Sequence, residues 1–237
     1  MRRATPRVLS QPSTSAREVP AVPGAALPAE LRLKLLRLML ATRANDEVEQ
    51  GAKRRGLGNF QLSTLGHEAL VGVALAMQPE DWLHPHYRDR GLVLARGMTQ
   101  EQLFLEYFGK RTAYSGGRQM PMHYCSRAHR IISLSSPVGT NFPQALGIAQ
   151  SLKERRMPEV VVALLGDAGS REGEVMEALL EAAIERLPIV FIIEDNGYGI
   201  STPTTGKTFW GVARGLGRGE DGADWCLGCR VEVINGL

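Results

Sequence analysis

The chain has 237 residues and is 43% hydrophobic, enough for one substantial core or two small ones that need neither disulfides nor metals to hold them. Its formal net charge of +3 is concentrated at the start, where Arg2, Arg3, Arg7 and Arg17 face only Glu18; without residues 1–29 the body holds 24 basic and 24 acidic residues. A neutral body argues against nucleic acid as the main partner, three cysteines cannot build a disulfide framework, and no apolar run is long enough to span a bilayer.

Residues 1–27, rich in Arg, Ser, Pro and Ala, are expected to be a disordered extension, which places the protein in the cytoplasm; read instead as an organelle transit peptide, the same composition would send it to the mitochondrial matrix. Residues 28–237 are expected to form one domain. Leu31, Leu35, Leu38 and Met39 recur at helical spacing behind Pro28, a residue tolerated at a first helical position, and predict a long amphipathic helix. After the turn "RRGLGNF", the stretch "HEALVGVALAM" is apolar on nearly all sides and predicts a buried helix. "TQEQLFLEYFG" predicts another, with Thr99 as its N-cap.

"IISLSSPVGTNFPQALGIAQS" reads as a tight loop running into a closely packed helix of small residues. "VVVALLG" is a continuous aliphatic run, the mark of a parallel strand covered on both faces. Glu174, Glu177, Glu181 and Glu185 then line one helical face and Val175, Leu179, Ala183 and Leu187 another, until Pro188 stops the helix and "IVFIIE" opens a second buried strand. Strand, helix and strand make a right-handed βαβ unit, and the fold class is α/β, a parallel sheet flanked by helices.

Asp167 and Asn196 follow the two strands directly, at the sheet edge where ligands of parallel sheets bind. A carboxylate and an amide oxygen so placed are hard ligands suited to Mg2+ or Ca2+, and the helix N-terminus after Asp167 attracts phosphate. Gly-Asp and Asn-Gly are also common turn dipeptides, so the spacing alone leaves both readings open.

The whole stretch from "GDAGSREG" to "NGYGIS" resembles the thiamine-diphosphate motif, in which Gly-Asp-Gly is followed by a helix and Asn-Asn. More narrowly it is similar to the alpha subunit of the decarboxylating component of 2-oxoacid dehydrogenase complexes. That resemblance implies Mg2+ binding by Asp167, Asn196 and the backbone carbonyl of Tyr198, and cofactor contacts from Gly166, Asp167, Ala168, Gly169, Asn196, Tyr198 and Ile200. Two residues depart from the family pattern: Ala168 stands where Gly is usual, acceptable where φ is negative, and Asp195 stands where the first Asn is usual.

The likeness runs from about residue 30 to about residue 205. "STLGHEALVGVALAM" is similar to the family's Ser-x-Gly-Gln-Glu-Ala segment and "HPHYRDRGLVLARGM" to its Tyr-Arg-x-x-Gly segment, so Tyr87 and Arg88 are implied to hold the cofactor diphosphate, a task suited to a bidentate guanidinium. "GGRQMPMHY" and "SLSSPVGT" resemble the branched-chain, 2-oxoisovalerate type. They imply that Ser136 and Val138 lie against thiamine diphosphate and that Ser135 and Thr140 bind K+, although Asn141 replaces the family's Gln there.

His86 and His123 are the candidate catalytic residues, as proton donors or as polar orienters of a 2-oxo acid carboxylate. His67 replaces a family Gln and carries little weight, and His129 reads as a surface residue. "CLGC", Cys226 to Cys229, lacks the second ligand pair of a structural zinc site and reads as two free thiols in a loop. The implied partners are a beta subunit with the cofactor at the interface of a heterotetramer, a lipoyl-bearing acyltransferase and a 2-oxo acid. The implied reaction is oxidative decarboxylation in branched-chain amino acid catabolism.

The closing "GCRVEVINGL" resembles a strand well inside the family's length, so the domain is expected to be incomplete at its C-terminus: a fragment, a truncated frame or the front of an alpha-beta fusion. A non-catalytic remnant or assembly module is the competing reading. A nucleotide-phosphate loop ranks last, because "GDAGSREG" lacks the Lys-Ser/Thr pair of a P-loop.

Overall fold

The computed structural model describes residues 27–58, 60–209, 224–226 and 229–231. The expectations for residues 1–26 and for the closing 232–237 lie outside the described residues. Helix α1 spans Ala29–Arg54 with Pro28 as its N-cap, one position earlier than expected. Its leucine stripe is only half covered, since Leu31, Leu35, Leu38 and Met39 are half-buried and Leu33, Leu36 and Leu40 exposed. What it does bury is polar: Thr42, Asn45, Asp46 and Glu49, with Ala52.

The expected apolar helix at 67–77 forms in two pieces, a 3-10 turn at Glu68–Leu70 and α2 at Val71–Ala76, and is covered on one side only. The Glu68 carboxylate draws the turn back by accepting from the Gly66 N–H at 2.8 Å and from Arg43 at 2.9 Å. Strand β1, Trp82–His84, and helix α3, Arg90–Ala95, had no clear sequence signal. At Gly91 a Cβ would lie 2.9 Å from both Thr42 Oγ1 and Val71 Cγ1, so glycine lets α3 press against α1 and α2. Helix α4, Gln100–Tyr107, starts as expected, with Thr99 and Gln102 forming a reciprocal capping box.

Helix α5, Asn141–Glu154, strand β2, Val161–Gly166, helix α6, Gly173–Ile184, and strand β3, Ile189–Glu194, lie where expected, but β3 is not the expected buried strand: at the edge of the described sheet it has a neighbour on one side only, and of its residues Glu194 alone is buried. The strands lie parallel in the order β1-β2-β3. The strand period of two sorts β2 onto two cores. Val162 and Leu164 face the cluster built with Leu83, Leu92 and Val93. Val161, Ala163 and Leu165 face the cluster built with Phe142, Ala149, Val175 and Leu179.

Two short antiparallel hairpins complete the described residues: β4, Tyr198–Gly199, with β5, Thr202–Pro203, and β6, Asp224–Cys226, with β7, Cys229–Val231. Cys226 and Cys229 therefore sit opposite each other on paired strands, not in a loop.

Arg90 is 1% exposed, its Nη2 donates to Glu49 Oε2, and its Nη1 lies 3.6 Å from Asp46 Oδ1. Burial nonetheless raises Glu49 to about 7, with Arg90 opposing the rise. A carboxyl raised on folding is more stabilising in its protonated form, so its contribution is full below about 4.5 and is lost as pH climbs through about 7. The urea midpoint of the wild type minus that of Glu49→Gln is expected to fall across this window and level off above it; a difference independent of pH would contradict the assignment. Leu164→Ala, at a fully buried β2 position, is expected to cost about 2–5 kcal/mol of unfolding free energy, read from urea titration.

Candidate functional site

Three chain segments leave the carboxyl ends of the sheet side by side: His86 to Asp89 after β1, Asp167 to Gly169 after β2, and Asp195 and Asn196 after β3. Gly166 pairs with Glu194 in register, which sets the second and third turns next to each other.

Asp167 is 1% exposed. Its N–H donates to the Glu194 carbonyl at 3.2 Å, its carbonyl accepts from Ser170 Oγ at 2.6 Å, and its Oδ2 accepts from the Thr204 hydroxyl. Thr204 was not singled out from the sequence; it arrives because the β4–β5 hairpin folds back, its N–H donating to the Gly197 carbonyl at 3.0 Å. Ala168 has φ −65° and ψ −42°, so nothing in the backbone requires glycine there. The constraint has moved to Gly199, where a Cβ would stand 2.6 Å from the Ala168 Cβ. Gly169 meets a second approach, since a Cβ on it would lie 2.7 Å from Val138 Cγ1 and 2.9 Å from Leu165 Cδ1. The Ser-Pro loop is thus seated against the Asp167 turn.

Asn196 is exposed, and its Oδ1 accepts from the Tyr198 N–H at 2.9 Å; Asp195 Oδ1 accepts from the Gly197 N–H at 3.0 Å. These are Asx turns that shape the hairpin. Tyr198 is exposed as well, and Ile200, fully exposed, occupies the left-handed region at φ 57°. Such a conformation in a β-branched residue is strained.

On the β1 side, Arg88 donates to the Ser63 carbonyl and lies 5.3 Å over the Tyr87 ring. His86 is 6% exposed, its ring centroid 3.7 Å from that of Tyr87. Burial first, then the Arg88 charge, then His67, lower its pKa to about 3. A ring held neutral in this way offers hydrogen bonding rather than a ready proton. His123 is buried on the neighbouring loop, with Nε2 2.7 Å from Ser136 Oγ and Nδ1 3.1 Å from the Pro121 carbonyl. Two predicted residues, His123 and Ser136, are therefore in direct contact. Thr140 donates to the Pro137 carbonyl at 2.8 Å and Asn141 Nδ2 to the Leu164 carbonyl at 2.6 Å.

Sequence reasoning missed Glu194 and Asp89. Glu194 closes β3 and pairs through Oε2 with His67 Nδ1, while its Oε1 lies 3.7 Å from His86 Nδ1. Asp89 Oδ2 accepts from the His86 N–H at 2.7 Å. Burial pushes Glu194 up to about 7 and, with the neighbouring Glu194 charge, holds Asp89 well above the usual carboxylate range; burial also lowers His67. The available signal was the acid closing the apolar run "IVFIIE", since a charge that ends an apolar strand needs partners where it is buried. His129 is half-buried rather than on the surface: it packs over Gly97 and its Nδ1 lies 2.8 Å from Ser126 Oγ.

The family described as "Dehydrogenase E1 component" matches residues 36–219. Subunit alpha 1 of the mitochondrial 2-oxoisovalerate dehydrogenase of Arabidopsis thaliana is 37% identical over 174 residues, covering 73% of this chain and 37% of its own. The 2-oxoisovalerate dehydrogenase subunit alpha of Bacillus subtilis (strain 168) is 40% identical over 172 residues, covering 71% and 52%. The mitochondrial subunit of Homo sapiens is 33% identical over 197 residues, covering 81% and 44%. The chain spans between 37% and 52% of the length of these relatives. Among the described residues, no helix is long and apolar enough to cross a membrane.

The packing of Gly199 on Ala168 gives a test of the turn. Gly199→Ala is expected to cost about 1–3 kcal/mol through overpacking. Ala168→Gly in the same chain is expected to restore most of it; additive losses in the double variant, measured by urea unfolding, would show that the two positions do not press on each other.

Proposed function

The chain belongs to the dehydrogenase E1 component family, and on that premise we propose that it is an alpha-type subunit of a 2-oxoacid dehydrogenase of the branched-chain, 2-oxoisovalerate kind. It would bind thiamine diphosphate with a beta subunit in a heterotetramer and hand the acyl group to a lipoyl-bearing acyltransferase, in the cytoplasm or, in a eukaryotic cell, the mitochondrial matrix. The observation that carries this reading is the buried Asp167 carboxylate in the turn after β2, set beside the Asn196 turn by the Gly166–Glu194 register.

The residues present fit the cofactor. The Asp167 carboxylate, the Asn196 amide oxygen and the Tyr198 carbonyl are hard oxygens of the sort Mg2+ takes, and Asp167 and Asn196 have more lone pairs than the one hydrogen bond each side chain accepts. When bound, thiamine diphosphate supplies the carbanion chemistry that decarboxylation needs. This chain's part is to hold the diphosphate and shape the site. Arg88 offers a planar guanidinium to phosphate oxygens, already oriented by the Ser63 carbonyl and the Tyr87 ring. Gly166, Ala168 and Gly169 keep the turn low enough for a phosphate to approach its backbone. Val138 and Ser136 cover it from the Ser-Pro loop, and Ile200 closes it from the hairpin.

His86, through the ring edge away from Glu194, orients the substrate carboxylate by hydrogen bonding, and His123, whose ring nitrogens are engaged by Pro121 and Ser136, acts as a polar orienter by positioning Ser136. K+ would use Ser135 and Thr140 oxygens, the Thr140 proton being committed to Pro137.

Calorimetric titration with thiamine diphosphate and Mg2+, of the chain alone and then with a beta subunit from the same source, tests the proposal. Mg2+-dependent binding in the mixture is expected, weakened more than about tenfold by Asp167→Ala with the fold retained by circular dichroism. Equal affinity in that variant would overturn the assignment of Asp167.

A further inference from the structure

We propose that His86, Asp89 and Glu194 form a second, buried metal site of the Zn2+ class, which ties the turn after β1 to the end of β3. The proposal stands apart from the Mg2+ assignment, because it shares no ligand with Asp167, Asn196 or Tyr198.

The three residues are 6%, 0% and 8% exposed, and one ligand atom from each lies within 4.8 Å of those of the other two. Each also keeps a buried polar atom, His86 Nδ1, Asp89 Oδ1 and Glu194 Oε1, that no residue outside the trio satisfies, the two carboxyls having only each other for a hydrogen bond. Native interiors leave few such atoms, and three of them on adjoining side chains point to something that binds them together. The remaining atoms are already positioned. Asp89 Oδ2 accepts from the His86 N–H at 2.7 Å, and Glu194 Oε2 is paired with His67 Nδ1. One oxygen of each carboxylate is thus held by a neighbour, as in a metal site's outer shell, and the His86 backbone is fixed to Asp89.

The donor set selects the ion. One imidazole nitrogen with two carboxylate oxygens suits Zn2+ and its first-row neighbours, whereas Mg2+ and Ca2+ prefer oxygen alone. Bonds of about 2.0–2.2 Å in a tetrahedron place neighbouring ligand atoms about 3.4 Å apart. His86 Nδ1 and Glu194 Oε1 stand at 3.7 Å, close to that spacing, and all three ligand atoms lie within 4.8 Å of one another. Two carboxylates buried this near each other need a cation or a shared proton between them. The Arg88 charge acts on Glu194 from nearby, but its hydrogen bond goes to the Ser63 carbonyl and it makes no ion pair with either acid. A shared proton is the competing outcome, and it leaves His86 Nδ1 with no role.

The test uses the tag-free chain carrying Cys125→Ser, Cys226→Ser and Cys229→Ser, so that thiolates cannot bind the probe. After chelator treatment, Zn2+ is added, and bound metal is measured after dialysis; Co2+ is then substituted for its visible ligand-field bands. One equivalent of Zn2+ is expected, with Co2+ bands of a nitrogen-oxygen site and a metal-dependent rise in thermal midpoint that chelator reverses. Binding should persist in Asp167→Ala, which separates it from the Mg2+ site, and fall at least tenfold in Glu194→Gln and in Asp89→Asn. Less than stoichiometric binding, or binding that survives both substitutions, overturns the proposal. If the variants fail to fold, the stoichiometry and Co2+ spectrum of the Cys-free chain decide it alone: an absent spectrum leaves the shared proton.

Discussion

A guanidinium cannot shed its charge inside a protein, and Arg90 sits among side chains that leave it 1% exposed. Everything around it is arranged to meet that demand. Glu49 and Asp46 reach it from one buried face of α1, Tyr107 from α4 secures the Glu49 carbonyl at 3.0 Å, and Gly91 lets the helices close over the pair. The ions do not make the fold more stable than packed hydrocarbon would; what they impose is a single arrangement, since any other strands a buried charge. The effect extends to the site. Asp46 also accepts from Gln50, Gln61, Ser63 and the Thr64 N–H, and the Ser63 carbonyl receives Arg88, two positions before Arg90. One acidic residue on α1 therefore sets both ends of the short stretch that carries Arg88.

The sequence shows β2, α6 and β3 clearly because their burial is set by period: aliphatic alternation across two cores, and an acid stripe opposite an apolar one. It shows Asp167 and Asn196 because a strand end marks where a ligand-facing turn must be. It does not show β1 or α3. Three strand residues carry too little pattern, and "HYRDRG" reads as a charged surface segment although Asp89 and Arg90 are among the most deeply buried residues described. The polar face of α1 is hidden for the same reason: Asp46 and Glu49 are buried by partners 41 or more residues away for Glu49 and 15 to 18 away for much of the Asp46 set, and no local window contains both halves. Likewise His67 looked expendable beside the helix signal that follows it. Its partner Glu194 is 127 positions later.

The carboxyl edge of the sheet divides by chemistry. Around Asp167 the donors are oxygens of hydroxyl, amide and carboxylate, open to a hard cation and to phosphate. Around Glu194 they are imidazoles and paired acids, shut away from water. The backbone joins the two halves, since the Glu194 carbonyl accepts the Asp167 N–H. Glu194 thus serves both halves, its carbonyl holding the Asp167 turn and its carboxylate pairing with His67.

The turn after β2 also shows how a departure from a family pattern is accommodated. Glycine at a turn serves either an unusual φ or a close approach, and the two needs are separable. Ala168 has an ordinary helical φ, so only the approach matters there, and the methyl group it adds points at the hairpin. Gly199 supplies the missing space from the other side, in a hairpin entered through the left-handed Gly197 and turned at the left-handed Ile200. The hairpin must lie this close, because Thr204 at its far end reaches the Asp167 carboxylate. The Asp167 carboxylate, the Ala168 methyl and the absent side chain of Gly199 are thus one packing unit: moving the hairpin outward to admit a larger residue would withdraw the hydroxyl from a buried acid that depends on it.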